Sequence, residues 1–400
     1  MYQHLSHEPY RLIDENKPLA SHQFAEKGKE ESCNWNQVAD FACEFGLDDP
    51  LIILAHYLDF AKQPPCTKCT GKNPLKPHKV HEREHRNAKL FLNSKSQKSI
   101  CTQAAEIVMA KRRLLMLELT REEMLCKKFE EKMERLRDFT PDDLKLYLAA
   151  VAWYNCMFKD FDLKLFKILR LLTENVPKRR NVMFKGPINS GKTGLAAALL
   201  DLLDGKALNV NCPADKLPFE LGCALDKFMV VFEDVKGQVS LNKDLQPGQG
   251  FHNLDNLRDH LDGAVAVTLE RKHVNKKHQI FPPAIITANE YAIPKTVLAR
   301  IALTLNFSCK DNLKKSLDRN LELRRKRVIQ SGMTLLIALI WSLPLKYFKV
   351  EIQPEVTKWR DILNAEVGHD LYCKMLENVE AGDDPLYGVF EYEEESEDES

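Results

Sequence analysis

The eight residues Gly186-Pro187-Ile188-Asn189-Ser190-Gly191-Lys192-Thr193 constrain this chain more than any other segment, because they spell the nucleotide-phosphate loop G-x-x-x-x-G-K-[ST]. Residues 181–184 before them read as a short buried strand, and Gly194-Leu-Ala-Ala-Ala-Leu-Leu-Asp-Leu-Leu203 behind them reads as a helix. Strand, glycine loop and helix start in that order gather backbone N–H groups at the positive end of a helix, which suits a chain of phosphates. Lys192 would neutralise the β- and γ-phosphates, and the Thr193 hydroxyl would hold Mg²⁺. The segment predicts an ATP site in an α/β domain.

A second half of such a site follows forty residues later, where Phe228-Met-Val-Val-Phe-Glu233-Asp234 reads as a buried strand ending in two acids. A carboxylate at the end of a strand beside the phosphate-loop strand can hold Mg²⁺. Asp234 is read as the metal partner and Glu233 as the group that orients the attacking water. A third apolar strand ends at Asn289, whose amide could touch the γ-phosphate or position that water. The apolar runs 181–184, 207–210, 228–232, 265–269 and 284–287 alternate with helical or loop segments. That alternation predicts a parallel sheet flanked by helices.

Cys66-x2-Cys69 is followed by His78, His81 and His85. Two thiolates and two imidazoles suit tetrahedral Zn²⁺, and with no open position completed nearby the expected role is structural. His81-x3-His85 has the common spacing and His78-x2-His81 is one residue tight, so both pairings remain open on spacing alone. The eleven cysteines show no disulfide-framework spacing, and no signal peptide opens the chain, which points to a reducing compartment.

Lys plus Arg equal Asp plus Glu at 58 each, but seven of the last ten residues are acidic. The remainder is therefore moderately basic, compatible with nucleic acid, and the tail reads as a solvated disordered end. The longest apolar run, 333–341, is too short to span a bilayer, so no membrane partner is expected. No basic nuclear-import cluster stands out. Residues 1–32 are polar and ragged apart from a strand-like stretch at 10–13, and a helical pattern begins at Asn34. A long charged amphipathic stretch covers 103–138, with Thr120-x-x-Glu123 as a capping box inside it. Thr140-Pro141-Asp142-Asp143 is a helix start, and residues 313–376 look helical again.

Six stretches in order carry a family resemblance: the phosphate loop, Lys206-Ala-Leu-Asn-Val-Asn211, Val230-Val-Phe-Glu-Asp-Val-Lys-Gly237, His252-Asn-Leu-Asp-Asn-Leu-Arg-Asp259, Phe281-Pro-Pro283 and Asn289-Glu-Tyr-x-x-Pro-Lys-Thr296. They closely resemble the polyomavirus large tumour antigens, viral replicative helicases of superfamily 3, from about residue 33 to 385. The resemblance implies an AAA+ ATPase core at 139–310 and a helical zinc-binding oligomerisation domain at 33–138. It also implies a helical subdomain at 311–385, an acidic tail at 386–400, and at 1–32 the remnant of an origin-binding domain.

It further implies an ATP-dependent DNA helicase acting as a hexameric ring with ATP sites between subunits. Arg300 sits where the family has its arginine finger, and Lys178 and Arg258 match its other trans-acting cations. Lys272 and His273 fall on the family's channel β-hairpin and Phe219 on a neighbouring channel loop, all toward single-stranded and forked DNA. Cys66, Cys69 and His81 fall on the family's zinc ligands, with His78 taken over His85 as the fourth. Host replication and tumour-suppressor proteins and the host nucleus follow from the same resemblance.

The chain departs from the family in lacking its J domain, its retinoblastoma-binding motif and most of its origin-binding domain, as a fragment or a truncated product would. The alternative reading is therefore a non-unwinding interaction module that oligomerises and binds host regulatory proteins. A weaker one is a phosphate-loop kinase, which would need a phospho-acceptor pocket in place of the trans-acting arginine.

Overall fold

The computed structural model describes residues 32–71, 76–239, 245–270 and 276–389. The strand-like stretch at 10–13 and the acidic segment 390–400 lie outside the described residues. The chain divides into two compact units between Leu117 and Glu118. That division falls ahead of the boundary at 138 read from the sequence, and it gives the helix after Thr120 to the second unit.

The first unit is helical: α1 (Trp35–Glu44), α2 (Pro50–Phe60), α3 (Thr67–Thr70), α4 (His81–Leu92) and α5 (Gln97–Glu118). Asn34 and Asp49 cap α1 and α2 by accepting from the backbone N–H groups of Asn36 and Leu51, and Pro50 opens α2 where its missing N–H is harmless. Val38, Phe41, Ile53, Tyr57, Phe60 and Phe91 form the buried centre. Glu84 is buried there because its carboxylate accepts from Tyr57 Oη at 2.7 Å and Gln37 Nε2 at 3.0 Å.

The second unit opens with α6 (Arg121–Leu136), α7 (Pro141–Met157) and α8 (Phe161–Glu174). Both sequence-read starts are reciprocal caps: Thr120 with Glu123, and Thr140 with Asp143. The amphipathic stretch 103–138 is thus two helices broken at Thr120.

Then come β1 (Asn181–Lys185), α9 (Lys192–Leu203), β2 (Lys206–Leu208), α10 (Leu217–Gly222), β3 (Val230–Phe232) and β4 (Gln238–Val239). The short helices α11 (Gly250–Asn256) and α12 (Arg258–Asp262) lead into β5 (Ala266–Leu269), β6 (Lys277–Ile280), β7 (Ala284–Ala288) and β8 (Tyr291–Ala292). The unit continues with α13 (Lys295–Leu298), β9 (Ile301–Asn306), α14 (Asp311–Arg319), α15 (Leu321–Arg325), α16 (Gly332–Ser342), α17 (Gln353–Glu366) and α18 (Gly368–Ala381).

Five strands make one sheet in the order β2-β3-β7-β1-β9, all neighbours parallel. The period-2 alternation sends Val182, Phe184, Val231 and Ile285 into one core. Met183, Val230, Phe232, Ile286 and Ala288 enter the other. A sheet covered on both faces is what its near-continuous apolar strands required. Two sequence expectations change. The run 265–269 is not in this sheet: β5 pairs antiparallel with β6 as a hairpin, with Leu269 opposite Lys277. The fifth strand of the sheet is β9, which the apolar runs did not include.

The apolar run 333–341 forms most of α16, a buried helix packed against α7 and α9. Among the described residues no helix is long and apolar enough to cross a membrane.

Candidate functional site

β1 ends at the phosphate loop, and α9 begins with Lys192. The loop admits only glycine at two points. A Cβ on Gly186 would lie 2.4 Å from the Phe307 carbonyl oxygen, and Gly191 has φ +94° with Met157 Cε where a Cβ would stand. Lys192 is buried at 8% exposure, and its ammonium donates to Gly186 O at 2.9 Å and Pro187 O at 2.6 Å. Burial pulls its pKa below the usual lysine value, opposed by Asp234 and Glu233. The ammonium therefore rests on loop carbonyls that a phosphate chain could replace as partner.

The two acids at the end of β3 turn to different neighbours. Thr193 Oγ1 lies 2.6 Å from Glu233 Oε1, whereas Asp234 Oδ1 accepts from Asn289 Nδ2 at 3.2 Å. Asp234 is held in the left-handed region (φ 47°), where its N–H donates to Thr287 Oγ1 at 2.7 Å and its carbonyl accepts from Asn211 Nδ2 at 2.9 Å. The expected roles, Asp234 as metal partner and Glu233 as the group that orients water, thus fall on side chains with different neighbours. The backbone turn at Asp234 points its side chain toward β7 and leaves Glu233 beside the threonine. Thr193 and Glu233 offer hard oxygen donors that fit Mg²⁺.

Lys178, Arg258 and Arg300 collect at the other edge of the sheet. Lys178 precedes β1 and Arg300 precedes β9, and these strands run parallel with Asn181 beside Ile301. Five residues of strand, about 16 Å at 3.3 Å each, separate that edge from the loop at the end of β1. Asp262 joins the group: its carbonyl accepts from Lys178 N at 2.9 Å, and its carboxylate meets Arg300 Nε at 2.7 Å. Arg300 also donates to Thr296 O at 2.7 Å, Thr296 Oγ1 donates to Asp255, and Arg258 stands 3.8 Å from the same Asp255. Lys178 and Arg258 are exposed.

Arg180 and Asn181, which sequence reasoning missed, fix this edge. The fully buried Arg180 guanidinium donates to Leu261 O, His260 O and Phe281 O, and burial brings it down to about 10, still a cation at neutral pH. Asn181 Nδ2 donates to Leu261 O and Arg300 O. The only signal for them was their position at the start of a predicted buried strand, Arg180 just before it and Asn181 as its first residue.

Phe219 is exposed on α10, which packs beside β5 of the hairpin. Gln279 on β6 ties the hairpin to the turn after α10 by accepting from Asp226 N at 3.3 Å. Lys276 and Glu270 pair at 3.2 Å at the hairpin neck, and Lys272 and His273 lie outside the described residues.

In the first unit, Cys66, Cys69, His78 and His81 each bring one ligand atom within 4.8 Å of the others. Cys69 Sγ stands 3.1 Å from His81 Nδ1, and Cys66 Sγ stands 3.4 Å from His78 Nδ1. His81 Nε2 is 3.0 Å from Lys62 O and 3.1 Å from Phe60 O, the kind of support that orients a ligating imidazole. Burial lowers the His78 pKa, favouring the neutral form a metal needs. His85 instead turns Nδ1 to Phe60 O at 2.7 Å. Two soft sulfurs and two imidazoles fit Zn²⁺.

The chain matches the family model described as polyomavirus large T antigen C-terminus over residues 30–400. It is 53% identical over 397 residues to the large T antigen of murine polyomavirus (strain Crawford small-plaque), covering 98% of this chain and 51% of the relative. It is 45% identical over 401 residues to the large T antigen of KI polyomavirus (isolate Stockholm 60), covering 98% and 63%. The chain thus spans about half the length of the murine relative. Among solved structures it is similar to the JCV helicase, with TM-score 0.83 at 41% identity over 89% of this chain and 99% of that one. A second JCV helicase structure, bound to a thiazolopyridine-phenoxyphenyl acetamide, gives TM-score 0.84 at 42% identity over the same shares.

Proposed function

Because this chain belongs to the polyomavirus large T antigen family, we propose that it is the ATP-driven DNA helicase portion of such a protein, working as a hexameric ring with ATP held between subunits. The observation that carries this reading is the separation of two half-sites on one subunit. Lys192, Thr193, Glu233, Asp234 and Asn289 gather at the carboxyl edge of the sheet, while Lys178, Arg258 and Arg300 gather about 16 Å away at the other edge. Those cations are too far from their own phosphate loop to serve it, so a neighbouring subunit's loop is their fitting partner.

The backbone N–H groups of residues 186–193 would cradle the phosphates, and Lys192 would exchange its loop carbonyls for the β- and γ-phosphates. Thr193 and Glu233 would hold Mg²⁺, which supplies charge neutralisation on the phosphates when bound. Asp234, aligned by Asn289, would accept the proton of the attacking water. Arg300 of one subunit would stabilise charge on the phosphoryl group bound by the next, with Lys178 and Arg258 in support. The Asp262 contact holds the Arg300 side chain at this edge of the sheet.

Phe219 would stack on the strand, and Lys272 and His273 would contact its phosphates, modes that carry no sequence preference. Movement of α10 and the hairpin with nucleotide state would draw DNA through the ring. Cys66, Cys69, His78 and His81 would hold a structural Zn²⁺ in the 33–138 domain, which supports assembly; the core at 139–310 and the helices at 311–385 follow it in the chain. Host replication and tumour-suppressor proteins as partners, and the host nucleus as location, belong to the same proposal. Its test is the mass of the assembled species together with its turnover: ATP should yield six-subunit particles whose hydrolysis rises with single-stranded DNA. A monomer with full turnover would contradict the inter-subunit site.

A further inference from the structure

Four consecutive cations, Arg324-Arg325-Lys326-Arg327, follow Lys314, Lys315 and Arg319 within fourteen residues. All seven are exposed. They ride on a fixed base, since Leu313, Ser316, Leu323, Val328 and Ile329 are buried beneath and Asn320 caps α15 by accepting from Leu323 N. Three of the seven are paired: Arg319 with Asp383, Arg324 with Asp318 at 3.0 Å, and Lys326 with Glu322 at 2.8 Å and Asp143 at 3.3 Å. Among the described residues no carboxylate pairs with Lys314, Lys315, Arg325 or Arg327. The surface carries a local surplus of positive charge on helical backbone. An adaptor that reads an extended basic peptide would have to unpack Leu323 and Val328 to use it.

The carboxyl-terminal segment is fastened to this same surface. Gly382 packs so closely that a Cβ there would stand 3.3 Å from both Asn312 Cα and Lys315 Cβ. Asp383 pairs with Arg319, and Asp384 accepts from Asn320 Nδ2 at 2.8 Å. Leu386 and Val389 are buried, and Val389 is the last described residue. Phe390 and then Glu391 to Ser400 follow, with seven acids in the last ten positions. Eleven residues span up to about 36 Å when extended, enough to return across α14 and α15 from that anchor.

We propose that the acidic segment 390–400 docks in cis on the surface formed by Lys314, Lys315, Arg325 and Arg327. Seven carboxylates complement four uncompensated cations. A tether this short holds the segment at an effective concentration of about millimolar, where weak exposed ion pairs acting together suffice. Polyanions approaching α14 and α15 then meet a surface already neutralised. The inference does not depend on the ATP site.

The test uses a chain ending at Val389, the full chain, and a fluorescent peptide of residues 390–400, read by anisotropy in low salt. The shortened chain should bind the peptide, and the full chain should bind it at least about ten-fold more weakly because its own segment competes. Lys315→Glu with Arg325→Glu in the shortened chain should abolish binding with an unchanged thermal midpoint. Lys315→Gln with Arg325→Gln should weaken it by an intermediate factor. Equal affinity for the full and shortened chains, or binding that ignores the charge reversal, would overturn the proposal. So would a short DNA duplex that binds this surface equally well in both chains, which would assign it to nucleic acid.

Discussion

Thr193 Oγ1 donates to Glu233 Oε1 at 2.6 Å, and this contact gives two acids that are adjacent in sequence different neighbours. Glu233 stands with the Thr193 hydroxyl, which we propose as a Mg²⁺ ligand, and Asp234 stands with Asn289. Glu233→Gln should therefore weaken ATP binding about ten-fold with Mg²⁺ present and leave it nearly unchanged in EDTA. Asp234→Asn should keep Mg²⁺-dependent affinity while turnover falls by about 10²–10⁴. Fluorescent-nucleotide titration beside steady-state hydrolysis reads both, and the opposite pattern would return the metal to Asp234.

Gly186 meets the Phe307 carbonyl oxygen so closely that a methyl group cannot be added without moving β9 or the loop. Gly186→Ala should cost about 1–3 kcal/mol of stability and lose nucleotide affinity together. A thermal melt with and without ATP checks this. Wild-type stabilisation by ATP in the variant would show that the loop accommodates the added carbon.

Arg300 is held at the edge opposite its own loop, so its loss should be felt by a neighbour. Mixing Arg300→Ala subunits with wild type should depress hydrolysis by more than the mutant fraction, since each mutant subunit disables the site it faces. A linear decline with mutant fraction would argue for independent subunits.

The Cys66, Cys69, His78 and His81 quartet should bind one Zn²⁺ per chain, and the loss of a ligand should act on assembly. Cys66→Ser should release the metal and impair hexamer formation, with nucleotide affinity changed by less than about three-fold, because the quartet and the phosphate loop lie in different units. His85→Ala should retain the metal. Zinc content by mass spectrometry and particle mass distinguish these outcomes. Equal loss of assembly and nucleotide binding on Cys66→Ser would make the metal a requirement for global folding.

How legible these features were in sequence follows from burial. β1, β3 and β7 are covered on both faces, so each is a continuous apolar run that periodicity finds. β9 lies at the sheet edge and alternates Ile301, Leu303 and Leu305 with Ala302, Thr304 and Asn306, which hid it. β5 is also half-exposed, and an alternating run does not say whether its partner is parallel or antiparallel. The phosphate loop was legible because its spacing is local. The division between Glu233 and Asp234 was not, because it rests on the left-handed turn at Asp234 and on Thr287 from another strand. Spacing left His78 and His85 open. The backbone carbonyl of Phe60, on a different helix, occupies His85. Lys178, Arg258 and Arg300 are more than a hundred residues apart end to end, and only the parallel pairing of β1 with β9 brings their edge together.

The most direct test of the central claim is ATP-dependent strand displacement on a forked DNA, with wild type beside Lys192→Ala. Among the described residues the Lys192 ammonium hydrogen-bonds only within its own loop, to Gly186, Pro187 and Ser190, so the substitution should spare the fold and remove hydrolysis. The account predicts unwinding by wild type and none by the variant, with both chains folded. Hexamers that hydrolyse ATP but leave the fork intact would contradict it and favour an interaction module, as would unwinding that survives the loss of Lys192 contradict the nucleotide site.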